Sequence, residues 1–239
     1  MMKLHLLGVN GPFPSSRGAT SGYLLESGDD LFQFDLGSGV LSILTALTAP
    51  ESLTALFISH WHFDHAADVP VLMYRLQALD RVLPVYGPAD PESALYRLVS
   101  SVPCFAFTEV SAGDTLQAGK TAFRVNAARH PVPAVGYTAS FADRTFGYTG
   151  DTNTLPSLAK DYRRCDLLLA DGLFSRESWT EEKPHLSAEL AARLALDAEA
   201  KALVITHLNP FIPRRTLLEE ARSVFHRVQL AEAGAVISL

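Results

Sequence analysis

The sequence predicts an α/β protein built as a four-layer αββα sandwich, and three observations lead there. Each half of the chain opens with short β-prone runs divided by breakers, then alternates apolar runs with amphipathic helical stretches. No linker, low-complexity tract or short repeat separates the halves. Hydrophobic residues fill 48% of the 239 positions, enough for two sheets packed face to face with helices outside. Residues 1–239 are therefore expected to form a single domain.

The first half reads in order. Lys3 to Leu7 is a short strand, followed by a breaker-rich loop over residues 11–18. Ser21 to Glu26 and Leu31 to Asp35 form a hairpin closed at Gly28-Asp29, and Val40 to Leu47 a helix. Leu53 to Ser59 is an apolar run of strand length. Val69 to Leu79 is a helix, with Asp68 placed to cap it and Pro70 tolerated in its first turn. Pro84 to Pro88 is a strand and Pro91 to Val99 a helix.

Four strands follow at Asp114–Gln117, Ala122–Ala127, Tyr137–Phe141 and Thr145–Thr149. Asp166 to Ala170 is a buried strand. Ser187 to Ala200 is a helix presenting Ala191, Leu194, Ala195 and Ala198 on one face. Ala202 to Thr206 is a strand, Arg215 to Phe225 a helix and Ala235 to Leu239 a last strand.

The chemistry gathers where the Leu53–Ser59 run ends. Residues 60–65 read His60-Trp61-His62-Phe63-Asp64-His65, three of the eight histidines in six positions with a carboxylate among them. Imidazole and carboxylate are preferred ligands of zinc and similar divalent ions. In an extended segment alternate side chains point the same way, so His60 and His62 converge on one point while Asp64 and His65 project from the next turn. Three later runs also end on ligand-type residues: Arg129-His130-Pro131, Tyr148-Thr149-Gly150-Asp151-Thr152 and Val204-Ile205-Thr206-His207. Taken singly, His130 is explained as a turn cap, Asp151 as a turn former and His207 as a solvated strand end. Taken with residues 60–65, they point to one metal site.

Composition limits the partners. The formal charge is −6 and no Lys/Arg cluster exceeds a pair, as at Arg163-Arg164 and Arg214-Arg215, which argues against extended nucleic-acid binding. Cys104 and Cys165 have no metal-ligand spacing and read as buried free thiols. No signal-peptide pattern opens the chain and no stretch nears the roughly 20 apolar residues of a membrane helix. A cytoplasmic setting without membrane contact is expected.

These motifs resemble the metallo-β-lactamase superfamily, and within it the ribonuclease Z-like phosphodiesterase branch, along nearly the whole chain. Phe34-Asp35-Leu36-Gly37-Ser38-Gly39 is similar to the family's early Asp-x-Gly-x-Gly segment, and His60-x-His62-x-Asp64-His65 to its signature. His130, Asp151 and His207 match its later ligand positions in order. The resemblance implies two divalent metal ions, zinc first, with manganese or iron as alternatives. One would be held by His60, His62 and His130, the other by Asp64, His65 and His207, with Asp151 bridging. Asp35 would accept the N–H of a ligand histidine and fix its ring.

Pro184-His185-Leu186-Ser187 is similar to the family's His-(Leu/Ser)-(Ser/Thr) element, which makes His185 a general acid or a substrate contact. Asp64 or Asp151 would also orient the nucleophile, a hydroxide held between the ions. In the 11–18 loop the amides and Arg17 are candidates for a substrate phosphate, with plain loop as the alternative. Ribonuclease Z carries an arm for transfer RNA between the third His and the bridging Asp. Here only twenty residues separate His130 from Asp151. The expectation is hydrolysis of a small, cyclic or linear, phosphodiester. Thioester or lactone hydrolysis, transfer-RNA 3′-end cleavage and a non-catalytic metal-binding role rank below it. The resemblance also suggests a homodimer.

Overall fold

The computed structural model describes residues 2–16 and 18–239. Arg17 lies outside the described residues, so its expected phosphate contact has no structural counterpart here. The first half contains strands β1 (Met2–Gly8), β2 (Gly22–Ser27) and β3 (Asp30–Phe34), helix α1 (Val40–Leu47), strand β4 (Ala55–Phe57), helices α2 (Phe63–Ala66) and α3 (Val69–Ala78), strand β5 (Leu83–Gly87), helix α4 (Ala94–Ser101) and strand β6 (Phe105–Glu109). The second contains β7 (Thr115–Ala118), β8 (Thr121–Ala127), β9 (Val135–Phe141), β10 (Arg144–Tyr148), α5 (Leu158–Asp161), β11 (Leu167–Asp171), α6 (Ala188–Asp197), β12 (Leu203–Thr206), α7 (Arg214–Arg222), β13 (Val228–Leu230) and β14 (Val236–Ser238).

Two seven-stranded mixed sheets result, ordered β14-β1-β2-β3-β4-β5-β6 and β13-β12-β11-β10-β9-β8-β7. Each is antiparallel where hairpins build it and parallel where helices cross over: β3 to β6 in the first, β10 to β13 in the second.

Strand periodicity explains the layers. In β3 and β4, Phe32, Phe34, Ala55 and Phe57 face the second sheet, while Leu31 and Leu56 face the outer helices. In β11, Leu167 and Leu169 face inward and Leu168 and Ala170 outward. The inter-sheet core is aromatic: Phe57 stacks on Phe123 at 4.3 Å between centroids, and Phe34 meets Phe146 edge-on at 5.5 Å. Outer cores pack α1, α3 and α4 on the first sheet, and α5, α6 and α7 on the second. This is the expected αββα sandwich. Cys104 and Cys165 are buried free thiols. No helix among the described residues is long and apolar enough to cross a membrane.

Three expectations are corrected. Asp68 does not cap α3 with its side chain; its Oδ2 accepts from Leu41 N (2.8 Å) and so caps α1, a tertiary cap invisible in local spacing. The helix expected from Pro91 to Val99 runs instead from Ala94 to Ser101, because Ser93 caps it by accepting from Tyr96 N. Strands β6 and β13 carry no long apolar run. β6 sits at a sheet edge with three of its five residues exposed, and β13 is three residues long, so their pairing depends on neighbours.

Candidate metal centre

The candidate residues lie beyond the C-terminal ends of strands, and two of those strands, β3 and β10, stand where the antiparallel part of each sheet meets the parallel part. Asp35 follows β3, Ser59 to His65 follow β4, His130 follows β8, Asp151 follows β10 and His207 follows β12. This is where open α/β sheets leave a crevice for ligands. Two turns are sharp: Asp35 (φ 51°) and His207 (φ 57°) take the left-handed conformation, uncommon without glycine and tolerated best by Asp, Asn and His. Each turns a side chain off the strand end into the crevice. Gly150 (φ 58°) makes the same turn before Asp151, and a Cβ there would stand 2.8 Å from Val135 O. Gly11 lets its backbone lie against the His207 ring, where a Cβ would fall 2.1 Å from Nε2.

All seven predicted ligand residues come together, in two groups. His60 Nε2, His62 Nδ1 and His130 Nε2 form the first, with 2.9 Å between the first two and 3.2 Å between the last two. Asp64, His65, Asp151 and His207 form the second: His207 Nε2 lies 3.1 Å from Asp64 Oδ2, and His65 Nε2 3.1 Å from Asp151 Oδ2. Asp151 sits between the groups, its Oδ2 also 3.6 Å from His60 Nε2 and 3.4 Å from His207 Nε2.

The outward nitrogens are held by the protein. His65 Nδ1 donates to Asp35 Oδ2 (2.7 Å), His60 Nδ1 to Ser59 Oγ (3.1 Å) and His130 Nδ1 to Pro184 O (3.2 Å). Asp35, fully buried, also accepts from Ser59 N, Ser59 Oγ and Tyr148 OH at 2.7, 2.8 and 2.6 Å. These bonds turn the remaining nitrogens toward shared points.

Burial lowers the proton affinity of His60, His62 and His130, His60 most. Neutral rings then face one another with lone pairs inward, and a single N–H cannot satisfy three of them. A cation can, so the donor set fits a metal ion. In the second group burial acts the same way on the imidazoles but carboxylates outweigh it. Asp151, Asp35 and Asp64 hold His65 well above the ordinary histidine value, and Asp151, Asp171 and Asp64 push His207 up to about 10. Burial raises Asp151, but His207, His65 and His185 more than reverse it and keep the carboxyl well below its usual range. Two buried carboxylates beside two imidazoles also suit a divalent ion.

His185 joins the site at the start of α6, whose Ser187 accepts from Leu190 N. Its Nδ1 donates to Asp171 Oδ2 at 2.9 Å, and its ring stacks on His207 with centroids 4.9 Å apart. Asp171 escaped the sequence reading. It ends β11 as Asp151 and His207 follow their own strands, but the expected strand stopped at Ala170 and Asp171-Gly172 reads as a turn. The repeated placement of ligand-type residues at strand ends was the signal. His5 pairs with Glu26 on the sheet surface, apart from the site.

An αββα sandwich with histidines and aspartates clustered at its strand ends defines a metallo-hydrolase. A family model described as the beta-lactamase superfamily domain matches residues 35–208, a span holding every candidate metal ligand together with Asp35 and His185, and the chain belongs to that superfamily. A probable metallo-hydrolase of Bacillus subtilis, YhfI, is 31% identical over 98% of this chain and 99% of its own length. The YhfI crystal structure has a TM-score of 0.93, covering 99% of this chain and 98% of that one. A ribonuclease Z of Methanosarcina mazei is 25% identical, covering 97% and 96%. The short form of human tRNase Z has the same fold, with a TM-score of 0.81 at 21% identity over 99% and 98%.

Proposed function

We propose that this chain is a binuclear metal-dependent phosphodiesterase for small phosphodiesters. The observation that carries the reading is the pair of ligand groups meeting at Asp151, with the His185–Asp171 pair beside them. One ion is assigned to His60, His62 and His130, the other to Asp64, His65 and His207, with Asp151 shared. The all-nitrogen-and-oxygen donor set suits zinc, manganese or iron, zinc first. Bound there, two divalent cations supply positive charge for a phosphoryl group and a lowered pKa for water.

The chain's own residues do the rest. Asp35 fixes the His65 ring through Nδ1 and leaves Nε2 for the ion. Asp64 and Asp151 are the carboxylates placed to orient an attacking water. Asp171 holds Nδ1–H of His185, so a proton on Nε2 is available to the departing alkoxide, and the carboxylate stabilises the imidazolium before that transfer. His185 Nε2 makes no hydrogen bond to any described residue. Both sheets contribute ligands, which supports 1–239 as one functional domain.

Two observations favour a small substrate. β9 and β10 occupy most of the segment between His130 and Asp151 and pair as a tight hairpin, leaving no room for an arm. The alignment with the Methanosarcina ribonuclease Z spans 293 positions against 239 residues here, whereas that with YhfI spans 242. The test is elemental analysis together with a substrate panel. About two ions per chain, turnover of bis(p-nitrophenyl) phosphate and none of precursor transfer RNA are expected. Turnover confined to thioesters or lactones, or to precursor transfer RNA, would reject the proposal.

A further inference from the structure

Beside the metal centre, a cavity of about 300 Å³ is lined by Trp61, His62, Phe63, Asp90, Ser93 and Val132. His62 belongs to both, so a substrate at the metal centre extends directly into it. This matches the lower end of small-molecule sites, roughly 300 Å³. Two features are unexplained by the fold. Phe63 stands 72% exposed, although it sits between two candidate ligands on α2. Asp90 is only 7% exposed, yet its carboxylate makes no hydrogen bond or ion pair with any described residue; only its backbone oxygen is used, by Ser93 N. The carboxylate oxygens open onto the cavity rather than into the core, so they are free to accept a donor from a bound molecule.

The walls are rigid. Trp61 donates from Nε1 to Pro88 O at 2.7 Å and is wedged edge-on against Tyr96 and Phe107. Asp90 and the neighbouring Glu92 repel a phosphate, so the cavity takes the uncharged part of a phosphodiester. That part must be flat enough to lie on Phe63 and must present N–H groups to Asp90. Nucleobases have this shape, and they differ in how they meet a carboxylate. Guanine offers two adjacent donors, N1–H and N2–H, which a carboxylate accepts in parallel. Adenine and cytosine set one amino group beside a ring acceptor. Uracil flanks its single N–H with two carbonyls that repel the carboxylate.

We propose that this cavity is a nucleobase subsite selecting guanine, with Phe63 as the stacking surface and Asp90 as the acceptor of the base's N–H groups. The proposal rests on the phosphodiesterase reading for the reacting group, though not for the binding of the base.

The experiment uses the metal-loaded full chain in two arms. In the first, guanosine and uridine, which carry no phosphate, are titrated against tryptophan fluorescence. Guanosine is expected to bind about tenfold more tightly than uridine, with the difference lost in Asp90→Asn. In the second, guanosine and uridine 2′,3′-cyclic phosphates are compared by kcat/KM. A guanine preference of about tenfold is expected, collapsing toward one in Asp90→Asn, while Phe63→Ala raises KM for the guanine substrate about tenfold through lost stacking. Phe63 is exposed, so that variant folds even if Asp90→Asn does not. Equal binding of the two nucleosides, a preference that survives Asp90→Asn, or an unchanged KM in Phe63→Ala overturns the subsite. Absence of turnover on ethyl p-nitrophenyl phosphate, which has no base, would instead remove the phosphodiesterase reading and leave the nucleoside arm to decide the subsite.

Discussion

The Asp171 carboxylate accepts a hydrogen bond from His185 Nδ1 at 2.9 Å, and both residues are buried. The same carboxylate accepts from Thr152 N at 3.1 Å and, through Oδ1, from Leu173 N at 3.2 Å, so its position is set by backbone from two strand ends. Burial raises its carboxyl, but His185 and His207 more than reverse this and hold it ionised. An ionised partner on Nδ1 is what a proton-donating imidazole needs.

His185→Ala and Asp171→Asn are therefore expected to lower kcat by about 100-fold on esters with alkoxide leaving groups. The loss should shrink on p-nitrophenyl esters, whose leaving group needs no proton. A Brønsted plot of rate against leaving-group pKa checks this, and equal losses across the series would reduce the pair to a structural role.

Asp35 anchors the first sheet's turn against the second through Tyr148 OH. Asp35→Ala strands four donors in the interior and is expected to destabilise the fold by about 3–5 kcal/mol, as when a buried charge pair is broken. Tyr148→Phe removes one of these bonds and should cost about 1 kcal/mol. Urea denaturation with matched m-values measures both.

The ligand groups predict different metal losses. Under the proposed binuclear assignment, Asp151→Ala removes the shared carboxylate and should deplete both ions, whereas His62→Ala should deplete chiefly one. Elemental analysis after dialysis at fixed free metal distinguishes the two, and equal stoichiometry in both variants would contradict the assignment of Asp151 between the groups.

Without metal, the raised proton affinities of His65 and His207 couple stability to pH. Both folded values lie above the unfolded 6.5, His207 at about 10. Their contribution is fully present below pH 6.5 and is lost as pH rises through the folded values. Asp151 and Asp64 run the other way: their values are depressed, so their contribution holds above 3.8 and fades as pH falls through the folded values. Chelator-treated protein is expected to show a melting temperature that falls between pH 6.5 and about 10. Metal-loaded protein should lack this alkaline loss, because an ion replaces those protons. Parallel melting curves with and without chelator would contradict it.

Much of the site was legible because its signals are local. His60 to His65 lie in one six-residue window, and His130, Asp151 and His207 each close a recognisable strand. Asp171 was not legible, since an Asp-Gly step after an apolar run reads as a turn. Asp90 was equally hidden: an acid after Pro88-Ala89 looks like a loop residue, and only its burial without a partner marks it. Asp68 caps α1 and not the helix it precedes: spacing relates a cap only to the helix that follows, whereas this carboxylate reaches α1 across 27 positions.

By itself the sequence determined most of the strands and the ligand-type residues at their ends, because apolar runs and chain breakers act within a few residues; β6 and β13 lay outside it. Only the tertiary structure decided which strand ends meet. Tyr23 OH bonds Thr206 Oγ1 at 2.8 Å across 183 positions, and Tyr148 reaches Asp35 across 113. Those contacts register one sheet against the other, bring Asp64 to His207, and choose which nitrogen of each ring faces inward. No window of sequence holds that information, since the free energy deciding it comes from aromatic packing between two sheets that are far apart along the chain.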